Sequence, residues 1–393
     1  MEPTIPAVNL RLQFESVREE IDASIRQVLE RQSFILGPEV QELEQAVARA
    51  QDCSHAVGCA SGSDALLLSL MALGIGPGDP VLVPAFTFFS TASSVVRAGA
   101  TPVFVDIDPR TFHISPEAVR QALASHNAAK PVRAVIPVHL YGQCADMDAL
   151  SEMAKQYDLH MIEDAAQAIL ARYGRRAAGS LGDCGCFSFY PTKNLGGAGD
   201  GGMITTQDAS LAERLRALRD HGSVKNGSVK KYTHACLGIN SRLDTLQAAV
   251  LIVKLRHLEE WTELRRKKAS FYRAAFSDTG LSHPSAAYPT REAPVVLPYV
   301  APDAGHVYHQ FTVRAYRRDE LARHLATKGI ESAVYYPIPL HLQEAFSYLG
   351  GQPGSCPESE RAAGEVLSLP LYPEITAEQQ SRVVEEIKRF YSS

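Results

Sequence analysis

The chain has 393 residues, 45% of them hydrophobic and 21% charged, with a formal net charge of −5. That is long enough for two domains and a large core, and the mild acidity gives no footing for nucleic-acid binding. No apolar run reaches the length of a membrane span and the N-terminus lacks a basic-then-apolar signal, so a cytoplasmic protein is expected.

Apolar residues at Phe14, Val17, Ile21, Ile25, Val28 and Leu29 recur at a helical period and predict a helix over 14–31. Gly37-Pro38 ends it and opens a second over 39–50, with proline in the first turn. Ser61-Gly62-Ser63-Asp64 then leads into strong helix formers over 65–73, closed by Gly74. A helix start built of small hydroxyl residues suits a phosphate, because the macrodipole and the unpaired N–H groups point the same way. An ordinary N-cap serine reads alike.

Short apolar runs at 81–84, 102–106, 133–138, 160–163 and 186–190 alternate with helical stretches at 90–98, 116–124 and 147–157. Near-continuous apolar strands separated by helices indicate a mostly parallel sheet covered on both faces. Ligands bind beyond the carboxyl ends of such strands, which singles out Asp106, His139, Glu163, Asp164 and Ser188. Residues 202–206 read as a further strand, 209–219 as a helix and 224–232 as a polar loop. A long helix is predicted over 242–273, with the basic run 265–268 as its solvated face. From Gly280 the texture becomes proline-rich, with strands at 295–300, 310–316 and 332–336 and helices at 319–328 and 377–391. The expected fold is α/β: a large domain over 1–256 with a mostly parallel sheet sandwiched by helices, and a smaller C-terminal α+β domain over 257–393.

The seven cysteines are scattered; only Cys184 and Cys186 lie close, and no second pair completes a zinc set, so reduced thiols and no metal are expected. Residues 187–202 (FSFYPTKNLGGAGDGG) run from a buried strand through one lysine into five glycines within seven positions. Gly197, Gly199 and Gly202 match the dinucleotide fingerprint, but that motif needs a helix directly after it and a strand follows here, so the reading is rejected. Lys193 projects from a fixed scaffold; a desolvated lysine lowers its pKa and becomes a nucleophile for carbonyls. Asp164 lies 29 residues upstream at a strand end. Lysine, carboxylate and phosphate-ready helix start are the three needs of pyridoxal 5'-phosphate: a Schiff-base amine, a partner for the ring nitrogen and donors for the phosphate. Asp164 as a helix N-cap is the competing reading.

At these residues the chain resembles the DegT/DnrJ/EryC1/StrS sugar aminotransferases, within the fold-type I pyridoxal-phosphate enzymes. The matching stretches are 35–44 (ILGPEVQELE), 61–66 (SGSDAL), 76–79, 84–90 (PAFTFFS), 99–108 (GATPVFVDID), 137–142 (PVHLYG), 162–168 (IEDAAQA), 187–194 (FSFYPTKN), 238–249 (GINSRLDTLQAA) and 336–342 (YPIPLHL). Residues 141–148 (YGQCADMD) and 240–247 (NSRLDTLQ) are similar to those of enzymes aminating carbon 3 of nucleotide-linked keto sugars, keto-uronic acids included.

The resemblance implies Lys193 as the Schiff-base lysine, Asp164 as the pyridinium partner, Gln167 near the phenolic oxygen and Phe88 stacked on the ring. It implies Ser63, Ser188 and the Gly62 backbone at the phosphate, and Asn240 reaching the phosphate of a neighbouring subunit, hence a homodimer with shared sites. Arg242 is expected to meet a carboxylate of donor or sugar, and His309 and His341 to line the sugar-nucleotide cleft. Ser63 stands where the family commonly has threonine, and the insert 223–230 lengthens a loop near the expected entrance. The implied reaction is a ping-pong transfer from L-glutamate through pyridoxamine phosphate to a UDP- or dTDP-linked keto sugar. The alternatives are amination at carbon 4, a pyridoxamine-dependent sugar dehydratase (disfavoured by Lys193), an amino-acid lyase on the same cofactor, and a non-catalytic cofactor-binding regulator.

Overall fold

The computed structural model describes residues 3–126, 130–223, 232–302 and 304–392. The loop expected at 224–232 and the insert at 223–230 lie almost wholly outside the described residues.

A seven-stranded sheet organises the large domain. In chain order its strands are β1 (His55–Cys59), β2 (Pro80–Pro84), β3 (Thr101–Val105), β4 (Ala134–Val135), β5 (His160–Asp164), β6 (Cys184–Ser188) and β7 (Gly202–Thr206), with spatial order β1-β7-β6-β5-β4-β2-β3. The ladder from β6 to β3 is parallel, whereas β7 runs antiparallel to both its neighbours. Period-two alternation sends Cys184 and Cys186 to one face, with Leu68, Val83 and Ile162, and Phe187 and Phe189 to the other, with Leu43, Met203 and Leu251.

Helices cover both faces: α1 (Leu10–Arg31), α2 (Pro38–Ala50), α3 (Gly62–Ala72), α4 (Ser90–Arg97), α5 (Pro116–Ser125), α6 (Met147–Tyr157), α7 (Ala209–Leu218) and α8 (Thr245–Ser277). Their starts follow local chemistry. Ser61, Ser115, Asp146 and Asp208 cap α3, α5, α6 and α7 with side-chain oxygens, and proline opens α2 and α5. The smaller C-terminal part has strands β8 (Val295–Val296), β9 (Phe311–Ala315) and β10 (Val366–Leu369) in the order β8-β9-β10, with α9 (Arg318–Thr327), α10 (Pro357–Glu365) and α11 (Ala377–Ser392). All seven cysteines are unbridged. Among the described residues no helix is long and apolar enough to cross a membrane.

Several elements differ from expectation. Residues 332–336 form no strand; Ala333 makes one bridge to Ser368. The strand expected at 133–138 shrinks to two residues because Pro137 has no N–H for the ladder, and pairing resumes only at the bridge between Val138 and Asp164. Arg265, expected on a solvated face, is 4% exposed and donates to the carbonyls of Tyr308 and Leu371. Helix α8 crosses the expected boundary at 256 unbroken: Ala248, Leu251 and Leu258 enter the large-domain core, while Ala269, Tyr272 and Phe276 enter the core of the C-terminal part.

Candidate active site

The register of three strands builds one end of the site. Gly202 at the start of β7 pairs with Cys59 at the end of β1 and with Ser188 at the end of β6. The chain leaves β1, turns at Ser61 and enters α3, so the first turn of that helix lies against Ser188. A Cβ on Gly62 would stand 2.7 Å from the Ser188 Cβ, and one on Gly202 would stand 2.4 Å from the Ser61 carbonyl carbon. Only glycine admits this approach. Ser61 caps the Asp64 N–H at 3.1 Å, while the Gly62 and Ser63 N–H groups have no acceptor within the helix. The Ser63 hydroxyl meets that of Ser90 at 2.6 Å.

The other end is Asp164, 6% exposed at the end of β5. Its Oδ2 accepts from Thr91 Oγ1 at 2.8 Å and its Oδ1 from the Ala166 N–H at 3.3 Å; no helix follows, so the N-cap reading fails. Burial raises its pKa, opposed by these bonds and by the facing Lys193. Lys193 sits in the turn after β6, its N–H bonded to the Tyr190 carbonyl at 2.8 Å. Burial brings its ammonium down to about 8 even though Asp164 pulls the other way. The lysine and the aspartate interact electrostatically, and each is disfavoured in its charged form by desolvation.

Around them, Gln167 accepts from the Tyr141 N–H at 2.6 Å and turns its amide toward the Tyr336 hydroxyl at 3.3 Å. Phe88 is 54% exposed, its ring 5.8 Å from that of Tyr336. His309 bonds Asn194 Oδ1 at 3.1 Å and is held neutral by burial and by the nearby Lys193 and Arg265.

The remaining expected residues have other neighbours. Arg242 pairs with Asp220 at 3.1 Å, so an in-chain carboxylate already meets its guanidinium. His341 is 2% exposed and bonds Glu360 at 3.0 Å, in contact with α10. Asn240 is exposed and bridged to Asp220 through the backbone.

Sequence reasoning left out Ser90, Thr91 and Tyr336, although Ser90 and Tyr336 stand in stretches that carry the resemblance and Thr91 directly follows one. It also gave Glu163 and His139 no more than a place at a strand end. His139 Nδ1 accepts from the Ala145 N–H at 3.2 Å, so its proton is on Nε2, which donates to Glu163 at 2.8 Å. Glu163 also receives the N–H groups of Gly179, Leu181 and Gly182.

The residues fit pyridoxal 5'-phosphate on structural grounds: a buried carboxylate with no ion pair among the described residues, a helix start packed on glycine, and a lysine of lowered basicity that interacts with the carboxylate.

Comparisons with known proteins agree. The model of the DegT/DnrJ/EryC1/StrS aminotransferase family matches residues 15–388. A "Pleiotropic regulatory protein" of Geobacillus stearothermophilus is 48% identical over 98% of both chains. A "UDP-N-acetyl-3-dehydro-alpha-D-glucosamine 3-aminotranferase" of Acidithiobacillus ferrooxidans is 45% identical over 98% of this chain and 97% of that one. The crystal structure of S. venezuelae DesV in complex with a ketimine intermediate superposes with a TM-score of 0.91 at 42% identity, covering 100% of both chains.

Proposed function

The chain belongs to the DegT/DnrJ/EryC1/StrS aminotransferase family, and from that premise we propose that it moves an amino group from L-glutamate to carbon 3 of a UDP- or dTDP-linked keto sugar. The observation that carries this reading is Lys193 facing Asp164 beside a helix start open to phosphate. The relatives named as 3-aminotransferases support the carbon and the nucleotide-linked substrate.

Pyridoxal 5'-phosphate, when bound, supplies an aldehyde that takes up the amino group and a ring that stores the electron pair released at the donor carbon. The chain's own residues do the rest. Lys193, its pKa near 8, is uncharged in an appreciable fraction near neutrality and attacks as a free amine. With the cofactor bound, Lys193 Nζ would be the base that takes the donor's alpha proton and delivers it across the nitrogen to the carbon of the pyridoxamine form. Asp164 keeps a proton on the ring nitrogen, Gly62, Ser63 and Ser188 hold the phosphate, and Phe88 and Gln167 fix the ring plane. Asn240, exposed on one chain, completes the phosphate site of a second copy, so the active unit is a homodimer in the cytoplasm. Its large domain holds the cofactor and its small domain packs beside it.

The test loads the purified protein with pyridoxamine 5'-phosphate and offers UDP- and dTDP-linked 3-keto and 4-keto sugars one at a time. Return of the aldehyde absorbance with a 3-keto sugar supports the reading; return with a 4-keto sugar alone moves the carbon; no return with any sugar overturns it. A second reading, a regulator that binds the cofactor without turnover, is favoured by the name of the Geobacillus relative. It predicts pyridoxal phosphate binding with no 2-oxoglutarate released from glutamate. For the dimer, mixing Lys193→Ala with Asn240→Ala chains restores part of the lost activity if sites are shared, and none if they are not.

A further inference from the structure

One short helix, α4, sets three of the side chains assigned to the cofactor: Phe88, Ser63 and Asp164. Phe88 stands two residues before α4, next to its N-cap Phe89. Ser90, its first residue, meets Ser63 Oγ at 2.6 Å at the phosphate end, and Ser94 donates to the Ser63 carbonyl at 3.0 Å. Thr91, fully buried, donates to Asp164 Oδ2 at 2.8 Å at the ring-nitrogen end. A hydroxyl has one proton, and Asp164 takes that of Thr91. The Thr87 hydroxyl, 3.2 Å behind, is then oriented to donate to Thr91.

We propose that Thr91 is a positioning residue for the aminotransferase reaction: its hydroxyl, backed by Thr87, orients Asp164 and holds it ionised so that it pairs with the pyridinium nitrogen. The inference rests on Asp164 being the ring-nitrogen partner. A buried carboxylate is otherwise driven toward its neutral acid, in which state it cannot keep a cationic ring nitrogen protonated. The ionisable groups facing Asp164 are Lys193 from the turn after β6, His139 from the segment after β4, Tyr336 from the C-terminal part and Cys186 from β6. His139 already gives its proton to Glu163, and Lys193 is committed to the aldehyde end of the ligand. Thr91 is therefore the side-chain donor left for the carboxylate, and its bond to an ionised acceptor belongs to the stronger class of hydrogen bonds.

The experiment measures the dissociation constant of pyridoxal 5'-phosphate by absorbance titration of apoprotein, together with the pH dependence of the bound spectrum. Four proteins are compared: wild type, Thr91→Val, Thr91→Ser and Asp164→Asn, each first checked for an unchanged thermal midpoint. Thr91→Val keeps the β-branched shape and should weaken binding about tenfold to hundredfold while shifting the spectral transition by roughly one to two pH units. Thr91→Ser should restore most of both. Added to Asp164→Asn, Thr91→Val should cost less than about twofold, because its only route is through the carboxylate. Equal losses in both backgrounds, or a spectrum unmoved by Thr91→Val, overturn the proposal. If Asp164→Asn itself leaves affinity and spectrum unchanged, the underlying assignment of Asp164 fails instead. Should Thr91→Val melt early, Thr87→Val serves in its place, with the same direction and a smaller expected shift.

Discussion

Glu163 and Asp164 are consecutive residues of β5 with opposite surroundings: Glu163 is enclosed by three backbone N–H groups and His139, while Asp164 opens toward Lys193. The period-two pleat makes the division, one carboxylate facing the fold and the other the ligand. Glu163→Gln would turn an NH2 group toward donors that need an acceptor. It should lower unfolding stability by roughly 2–3 kcal/mol in urea titration, with little change in ligand affinity per folded molecule. An unchanged midpoint would show that Glu163 is not the structural member of the pair.

Asp164→Asn keeps shape and burial but removes the charge that retains the ring proton. Turnover should fall about tenfold to hundredfold or more, with the protein still folded and still binding pyridoxal phosphate, more weakly. Wild-type kcat in this variant would refute the role.

The lowered pKa of Lys193 sets a pH profile. The neutral amine increases as pH rises through about 8, so uptake of pyridoxal 5'-phosphate by apoprotein should quicken roughly tenfold from about pH 7 to about pH 9 and then level off. In the unfolded chain the same group titrates near 10.5, so the unfolded state binds more protons between the two values. Apoprotein stability should therefore gain from this residue as pH rises across that window, and lose as it falls. Uptake that climbs only near pH 10 would mean an ordinary, solvated lysine.

Gly62→Ala places a methyl group into Ser188. Overpacking of this kind costs about 1–3 kcal/mol, and because the strain falls on the phosphate cradle it should appear as weaker pyridoxal phosphate binding. The pair Gly62→Ala with Ser188→Gly relieves the contact. Its thermal midpoint should recover while affinity stays reduced, since a phosphate donor is gone; recovery of both would separate Ser188 from the phosphate.

Two buried histidines predict acid sensitivity. Burial lowers His113 to about 4 and His306 to about 3, so across the range from 6.5 downward the unfolded chain takes up protons that the folded one refuses. Stability contributed by these groups is complete above about pH 6.5 and shrinks as pH falls. The urea midpoint should drop between about pH 7 and pH 5, and His113→Asn should flatten part of that slope. A midpoint constant over this range would contradict the burial of both rings.

The alternating strands and helices of the large domain were legible because each parallel strand is apolar on both faces, and Lys193 and Asp164 stood out because charged groups there break that pattern. Thr91 did not, since its significance lies in a partner 73 residues away that only the β2–β5 arrangement brings near. β1 was missed because His55–Cys59 is short and contains Gly58, which has little strand preference of its own and is held by pairing with Met203. Residues 332–336 carry a strand-like composition, yet they meet the edge of β10 away from β9 through one bridge alone, Ala333 with Ser368.

One uninterrupted rod, Thr245–Ser277, inserts its first half into one core and its second half into another, so a cut at the expected boundary of 256 falls inside a helix that both cores share. Expressed as separate fragments cut at 256, each piece would lack part of the wall it packs against. Any closing movement of the C-terminal part must either carry the distal turns of that rod with it or slide across them.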